Sequence, residues 1–271
     1  MERFDVPELL FRFAALESTP NFTISYLGID RVHTEYHWFP YAMTPPDVLQ
    51  FAWTGGDGIH FGFLTDFGKV TDLGKAPIVC VSPASDAAIT LVARDLSDFL
   101  RALCLLKSGN SFSDLQRYAR KKGDPWWTTF QLAPIDDRYE ETLRTAEIVA
   151  QRLNLTPLPD YQTYLRDLWA ERQRSISVET KDGLGILRTP RSSPAPEPTF
   201  DFEAEGNQDL DKMRAFIKQA GRDATLAFCK DAQYFHSFIP GRADAVRHLV
   251  ADTLAGLGLD FESERIRNFG E

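Results

Sequence analysis

Two imidazoles four residues apart, in His33-Thr-Glu-Tyr-His37, form the first pattern in this chain with metal-binding chemistry in reach. On a helix this spacing aims both rings at one ion, as in HExxH zinc sites, where the glutamate acts as general base. Here Glu35 sits midway between the histidines, and Val32, Thr34, Tyr36, Trp38 and Phe39 favour a strand. Along a strand, residues four apart lie about 13 Å from each other, so the pair reads as sheet residues and no metal is expected.

A second pattern is Thr54-Gly-Gly-Asp-Gly58 with His60 just beyond, flanked by Phe51-Ala-Trp53 and Phe61-Gly-Phe63. It lacks the Gly-Lys-Ser/Thr of a Walker loop and the GxGxxG spacing of a dinucleotide site, so it does not read as a phosphate cradle. Asp57-Gly58 is instead the dipeptide of a tight hairpin turn, because glycine takes positive φ without a Cβ clash. Alternation places His60 on the face opposite Ile59 and Phe61, as a satisfied sheet histidine or a pH-sensitive contact. Asp66-Phe67-Gly68 matches the kinase magnesium triplet without a phosphate-covering glycine loop, strand lysine or HRD loop, and is a chance match. Ser82, Ser85 and Asp86 lie in no GxSxG elbow, which leaves serine hydrolysis without support. Cys80, Cys104 and Cys229 are far apart with no CxxC spacing, which fits a reducing cytoplasm, and Cys80 and Cys104, inside apolar runs, read as small core residues. No cofactor is expected. Trp126-Trp127, between Asp124-Pro125 and Thr128-Thr129, either caps a core or marks a partner surface.

The whole chain has 271 residues, 43% hydrophobic and 25% charged, with a net charge of -9 from 30 basic and 39 acidic side chains. Phosphate neutralisation needs a basic surface, so a general nucleic-acid binder is excluded, and Arg117 to Lys122 reads as a solvated helix end. There is neither a secretory signal pattern at the N-terminus nor an apolar run of about 18 residues, so no membrane partner is expected.

The elements that must position these residues follow from periodicity. Leu9, Leu10, Phe13 and Leu16 predict a helix over 7–17, and Phe22 to Tyr41 reads as one or two strands. The hairpin at 51–66, apolar runs at 76–82 and 88–93, and a helix from Ser97 with Phe99, Leu100, Leu103 and Leu106 inward come next. Helices are predicted over 136–155, 159–174, 207–219 and 242–257, and Ala224 to Cys229 reads as a strand. Pro190, Pro194, Pro196 and Pro198 among Ser, Arg and Glu make 179–201 the linker candidate. The expected class is α+β: a mainly antiparallel sheet with packed helices (1–123), a helical extension (124–178), the linker, and a small C-terminal α/β unit (202–271).

The order Pro45-Pro46, Phe51-Ala52, Gly55-Gly-Asp-Gly58, Phe61-Gly-Phe63, Pro77-Ile-Val-Cys-Val-Ser82, Val92-Ala93 and Asp98-Phe99-Leu100 resembles the second half of the SUKH superfamily, over about residues 40–106. That superfamily includes the Smi/Knr cell-wall regulators and many bacterial immunity proteins. The resemblance implies an α+β domain that binds another protein, commonly a toxin domain, without catalysis of its own. An acidic surface suits a basic partner by electrostatic steering. The expected contact residues are Trp53, Asp57, His60, Trp126 and Trp127. The competing reading is a small-ligand or metal-binding enzyme with a polar site on the sheet from His33, His37, Asp57 and His60.

Overall fold

The computed structural model describes residues 4–35, 41–85, 88–113, 115, 139–190, 192, 195–203, 209–236, 241 and 243–269. The chain forms two compact units, one of Met1–Trp38, Leu49–Thr65 and Val70–Trp169, the other of Phe39–Val48, Asp66–Lys69 and Ala170–Glu271. The class is α+β, as expected.

Unit 1 is built on a five-stranded antiparallel meander, β1 (Arg31–Val32), β2 (Val48–Trp53), β3 (His60–Leu64), β4 (Ile78–Val81) and β5 (Ile89–Ala93), in sequential order. Short connections between neighbours favour this arrangement. β3, β4 and β5 are buried along their whole length, which is why they read as apolar runs instead of alternating ones. Helix α1 (Glu8–Ala15) buries Leu10 and Phe13, while α2 (Leu96–Leu106) buries Phe99, Leu100 and Leu103. Phe99 stacks on Phe112 at 5.3 Å and meets Phe61 at 4.8 Å and Phe51 at 5.5 Å, so hairpin and helix share one aromatic core.

The cap of α2 is Asp95, whose carboxylate accepts from the Asp98 amide at 2.8 Å, and not Ser97. An N-cap oxygen reaches the amide three residues on, and Ser97 already lies inside the helix. Among the described residues of 22–41, where one or two strands are expected, β1 is the strand present, and residues 36–40 lie outside the described residues. Thr23 caps a short 3-10 turn at Ile24–Leu27, and Gly28 ends it in the left-handed region at φ 66°. Helix α3 (Tyr139–Arg152) packs on α2 and ties back to the N-terminal segment through Thr142 Oγ1, which donates to the Tyr26 carbonyl at 3.1 Å. At the start of α4 (Tyr161–Ser175), the Tyr161 hydroxyl donates to Val92 O at 3.0 Å. The described part of the expected helical extension, from Tyr139 up to Trp169, therefore belongs to the sheet unit.

Unit 2 comprises the hairpin β6 (Ile176–Val178) and β7 (Ile186–Leu187) with α5 (Leu210–Gln219), α6 (Arg222–His236), α7 (Asp244–Gly256) and α8 (Asp260–Arg267). Two expectations are corrected here. Ala224 to Cys229 is not a strand but part of α6, which is buried from Asp223 to Gln233. A helix buried all round shows no apolar stripe, and its short apolar run mimics a core strand. Residues 179–201 are not a bare linker, since Leu184, Ile186 and Phe200 are buried in this unit. Their apolar side chains are diluted among Pro, Ser and Arg, so composition hides them. Phe200, Phe202 and Phe228 form its aromatic centre, with ring centroids 4.8 to 5.5 Å apart. Among the described residues, no helix is long and apolar enough to cross a membrane.

Candidate functional site

Residues 54–59 join β2 to β3, and the turn forms as its dipeptide demands. Asp57 and Gly58 take φ values of 50° and 69°, and the Ile59 amide donates to Gly56 O at 3.0 Å, closing a turn with two left-handed central residues. The Thr54 amide donates to Ile59 O at 3.0 Å and locks the stem. Gly55 lies against Asp30: at φ 80°, a Cβ there would stand 2.9 Å from the Asp30 Cβ. Gly55→Ala should therefore lower stability by about 1–2 kcal/mol, because it combines a left-handed backbone with a clash. Urea denaturation checks this, and an unchanged midpoint would show that the turn gives way freely.

Asp30 lies beside this turn and was missed in the sequence. It is exposed, and its carboxylate accepts from the Trp53 indole Nε1 at 3.1 Å. The Arg31 guanidinium lies 5.5 Å from the Trp53 ring centroid, and the His33 ring meets the indole edge-on at 5.9 Å. Trp53 is thus half-buried, held in one orientation, and open on part of its surface. Asp57 is exposed at the tip, and nothing stands within 4 Å of a Cβ built at Gly56. The hairpin end presents an indole held by the Asp30 carboxylate, with Asp57 exposed at the tip of the turn. No local signal marks Asp30: it matters because Arg31, next to it, pairs with Trp53 across the strands.

His60 is corrected as a contact residue. It is 1% exposed, and its Nδ1 hydrogen-bonds Gly58 O at 2.7 Å. Burial drives its pKa down to about 4, so the ring is neutral at physiological pH and no partner reaches it. Of the competing polar site, His33 packs on Trp53, Asp57 is in the turn and His60 is buried; His37 lies outside the described residues. Burial, then the Arg31 charge, lowers the His33 pKa. Among the described residues, no three His, Cys, Asp or Glu side chains are placed to hold a metal ion. Trp126 and Trp127 lie outside the described residues.

Sequence reading also missed a buried charge cluster in unit 2. Lys230, 2% exposed, donates to both oxygens of Asp47 at 3.1 Å and lies 3.3 Å from Asp182. Arg172 makes a two-pronged pair with Asp66 at 2.6 and 2.9 Å and donates through Nε to Leu184 O at 2.7 Å. Asp66, Phe67 and Gly68 all take positive φ, a turn that the Arg172 fork holds in place. The triplet that mimicked a kinase motif is therefore a structural anchor. Asp231 accepts from the Lys181 amide at 2.7 Å, and burial raises its pKa to about 7. Two further side chains clamp the chain around Asp47: Gln233 Nε2 donates to Ala42 O at 3.2 Å, and Arg265 to Pro46 O and Val48 O at 2.9 and 2.7 Å. Lys230 and Arg172 are each paired with buried carboxylates, which holds the segments around Asp47 and Asp66 in this unit.

Scanned against protein-family models the chain finds no match, and a search of curated proteins finds none either.

Proposed function

We propose that this chain is a non-catalytic protein-binding module of the SUKH type that neutralises a basic toxin domain, with the end of the β2–β3 hairpin as its contact surface. The observation that carries the reading is the Trp53 indole held by the exposed Asp30, with Asp57 exposed at the tip of the same hairpin. A rigid aromatic anchor loses little entropy on binding, and indoles are enriched among the residues that dominate interface energy. A net charge of -9 speeds encounter with a basic partner and disfavours acidic ones.

The test is co-expression with the toxin domain encoded in the adjoining reading frame, scored by survival of the cells. The wild-type chain should protect, while Trp53→Ala, costing about 2–4 kcal/mol of binding, should not. Trp53→Ala must keep the wild-type circular dichroism spectrum, so that lost protection reports contact and not unfolding. Protection undiminished in this variant would remove the hairpin from the interface. No protection by the wild-type chain would end the immunity reading.

A further inference from the structure

Within unit 1, α2, α3 and the Leu155–Leu158 segment enclose a groove of about 300 Å³ whose lining is almost wholly apolar. Cys104, Leu105, Leu143, Ala146, Ala150 and Leu158 supply the apolar wall. This volume is at the lower end of the range for small-ligand sites, which join an apolar body to a few fixed polar groups.

The lining also includes two cations in different states. Arg101 is fully engaged, with Nη1 on Asp98 at 2.6 Å, Nε on Thr156 O at 2.8 Å and Nη2 on Pro157 O at 3.2 Å. It braces the loop that closes one end. Lys107 has no acidic partner within 4 Å among the described residues, and its ammonium lies 5.9 Å from the Tyr139 ring centroid. It is also the residue after α2 that takes the left-handed conformation, at φ 57°, where glycine is the usual choice. A lysine there is strained, and among the described residues no hydrogen bond of its side chain accounts for that strain. Glu147, the one acid among the described lining residues, is on the exposed side of α3, where water screens it.

We infer that this groove binds a small amphipathic carboxylic acid, its apolar body between α2 and α3 and its carboxylate on Lys107. A simple hydrocarbon would leave Lys107 unused, and an amine would meet it with like charge. The site is separate from the hairpin end, so its success or failure leaves the partner-binding proposal untouched.

Cys104 is a built-in reporter. It is the only partly exposed thiol of the three, since Cys80 and Cys229 are fully buried. Burial pushes its pKa up to about 12, so alkylation by N-ethylmaleimide is slow and is followed over hours by peptide mapping. Decanoate should slow alkylation at Cys104 about tenfold or more, decanol less, and decylamine not at all. Lys107→Gly suits the left-handed backbone, so the fold should hold or gain stability while the decanoate needed for half-protection rises about tenfold, or 1.4 kcal/mol. Ala150→Phe, which fills the groove, should abolish protection with the circular dichroism spectrum retained. Absence of protection by decanoate overturns the proposal, as does equal protection by decylamine or an unchanged decanoate requirement in Lys107→Gly.

Discussion

Replacing Lys230 with methionine should destabilise unit 2 by about 3–5 kcal/mol, the loss expected when one partner of a buried ion pair is removed. Methionine fills much of the same volume, so the loss is electrostatic: Asp47 and Asp182 would then face each other with no cation between them. Cys229 gives a direct readout, because it is the only thiol of unit 2 and is fully buried. The urea concentration at which Cys229 becomes open to alkylation should fall in Lys230→Met. Adding Asp47→Asn and Asp182→Asn removes the stranded charges and should recover most of the loss, since neutral replacement of a whole buried cluster is close to neutral for stability. If the triple variant is as weak as the single one, the cluster acts through packing and not charge.

Acid should act on the two units with opposite signs. In unit 1, His60 has a folded-state pKa of about 4 against an ordinary 6.5, because burial disfavours the imidazolium. Above pH 6.5 both folded and unfolded chains hold it neutral, and nothing changes. Between 6.5 and 4 the unfolded chain takes up a proton that the folded one refuses, so stability falls by about 3 kcal/mol across that window. In unit 2, burial outweighs the pull of Lys230 and raises Asp47 to about 6, and it raises Asp231 to about 7 despite the Lys181 amide. There the folded chain binds the protons first. Stability therefore rises as pH falls through 7 and 6 and levels off near the ordinary carboxyl value of 3.8. Lys230 stays charged throughout, its pKa raised by Asp182 and Asp47 against the effect of burial. The two responses are separable because Cys80 is buried in unit 1 and Cys229 in unit 2. Alkylation of Cys80 then follows unit 1, and alkylation of Cys229 follows unit 2. His60→Gln should flatten the first profile, and Asp47→Asn combined with Asp231→Asn the second; a shared slope for both units would contradict the assignment.

The parts of this fold that were legible are those written in local pattern. Asp57-Gly58 between two aromatic runs specified the hairpin, because positive φ at two successive positions is a demand few dipeptides meet. The apolar runs ending at Ser82 and Ala93 gave β4 and β5, and the three- and four-residue spacing of Leu143, Ala146 and Val149 gave α3. What stayed hidden depends on residues far apart in the chain. Lys230 and Asp47 are 183 positions apart, and Arg172 and Asp66 are 106 apart. Nothing local distinguishes a buried lysine from an exposed one: Ala224 to Cys229 read as a strand, and Lys230 and Asp231 just beyond it lie in the buried middle of α6. At the candidate site, Trp53 and Asp57 were legible from type and turn position. Asp30 was not, because its role depends on a cross-strand partner. His60 was placed in the right strand but on the wrong side of the surface, since alternation gives a face and cannot say that both faces are covered.

The most direct test is the association rate of this chain with the proposed partner, a basic toxin domain, measured by stopped flow at low and high salt. The account predicts fast association that slows with salt, and a drop of about tenfold or more in Asp30→Lys/Asp57→Lys at low salt, with dissociation little changed. An association rate that is indifferent to both the salt and the charge reversal would contradict it.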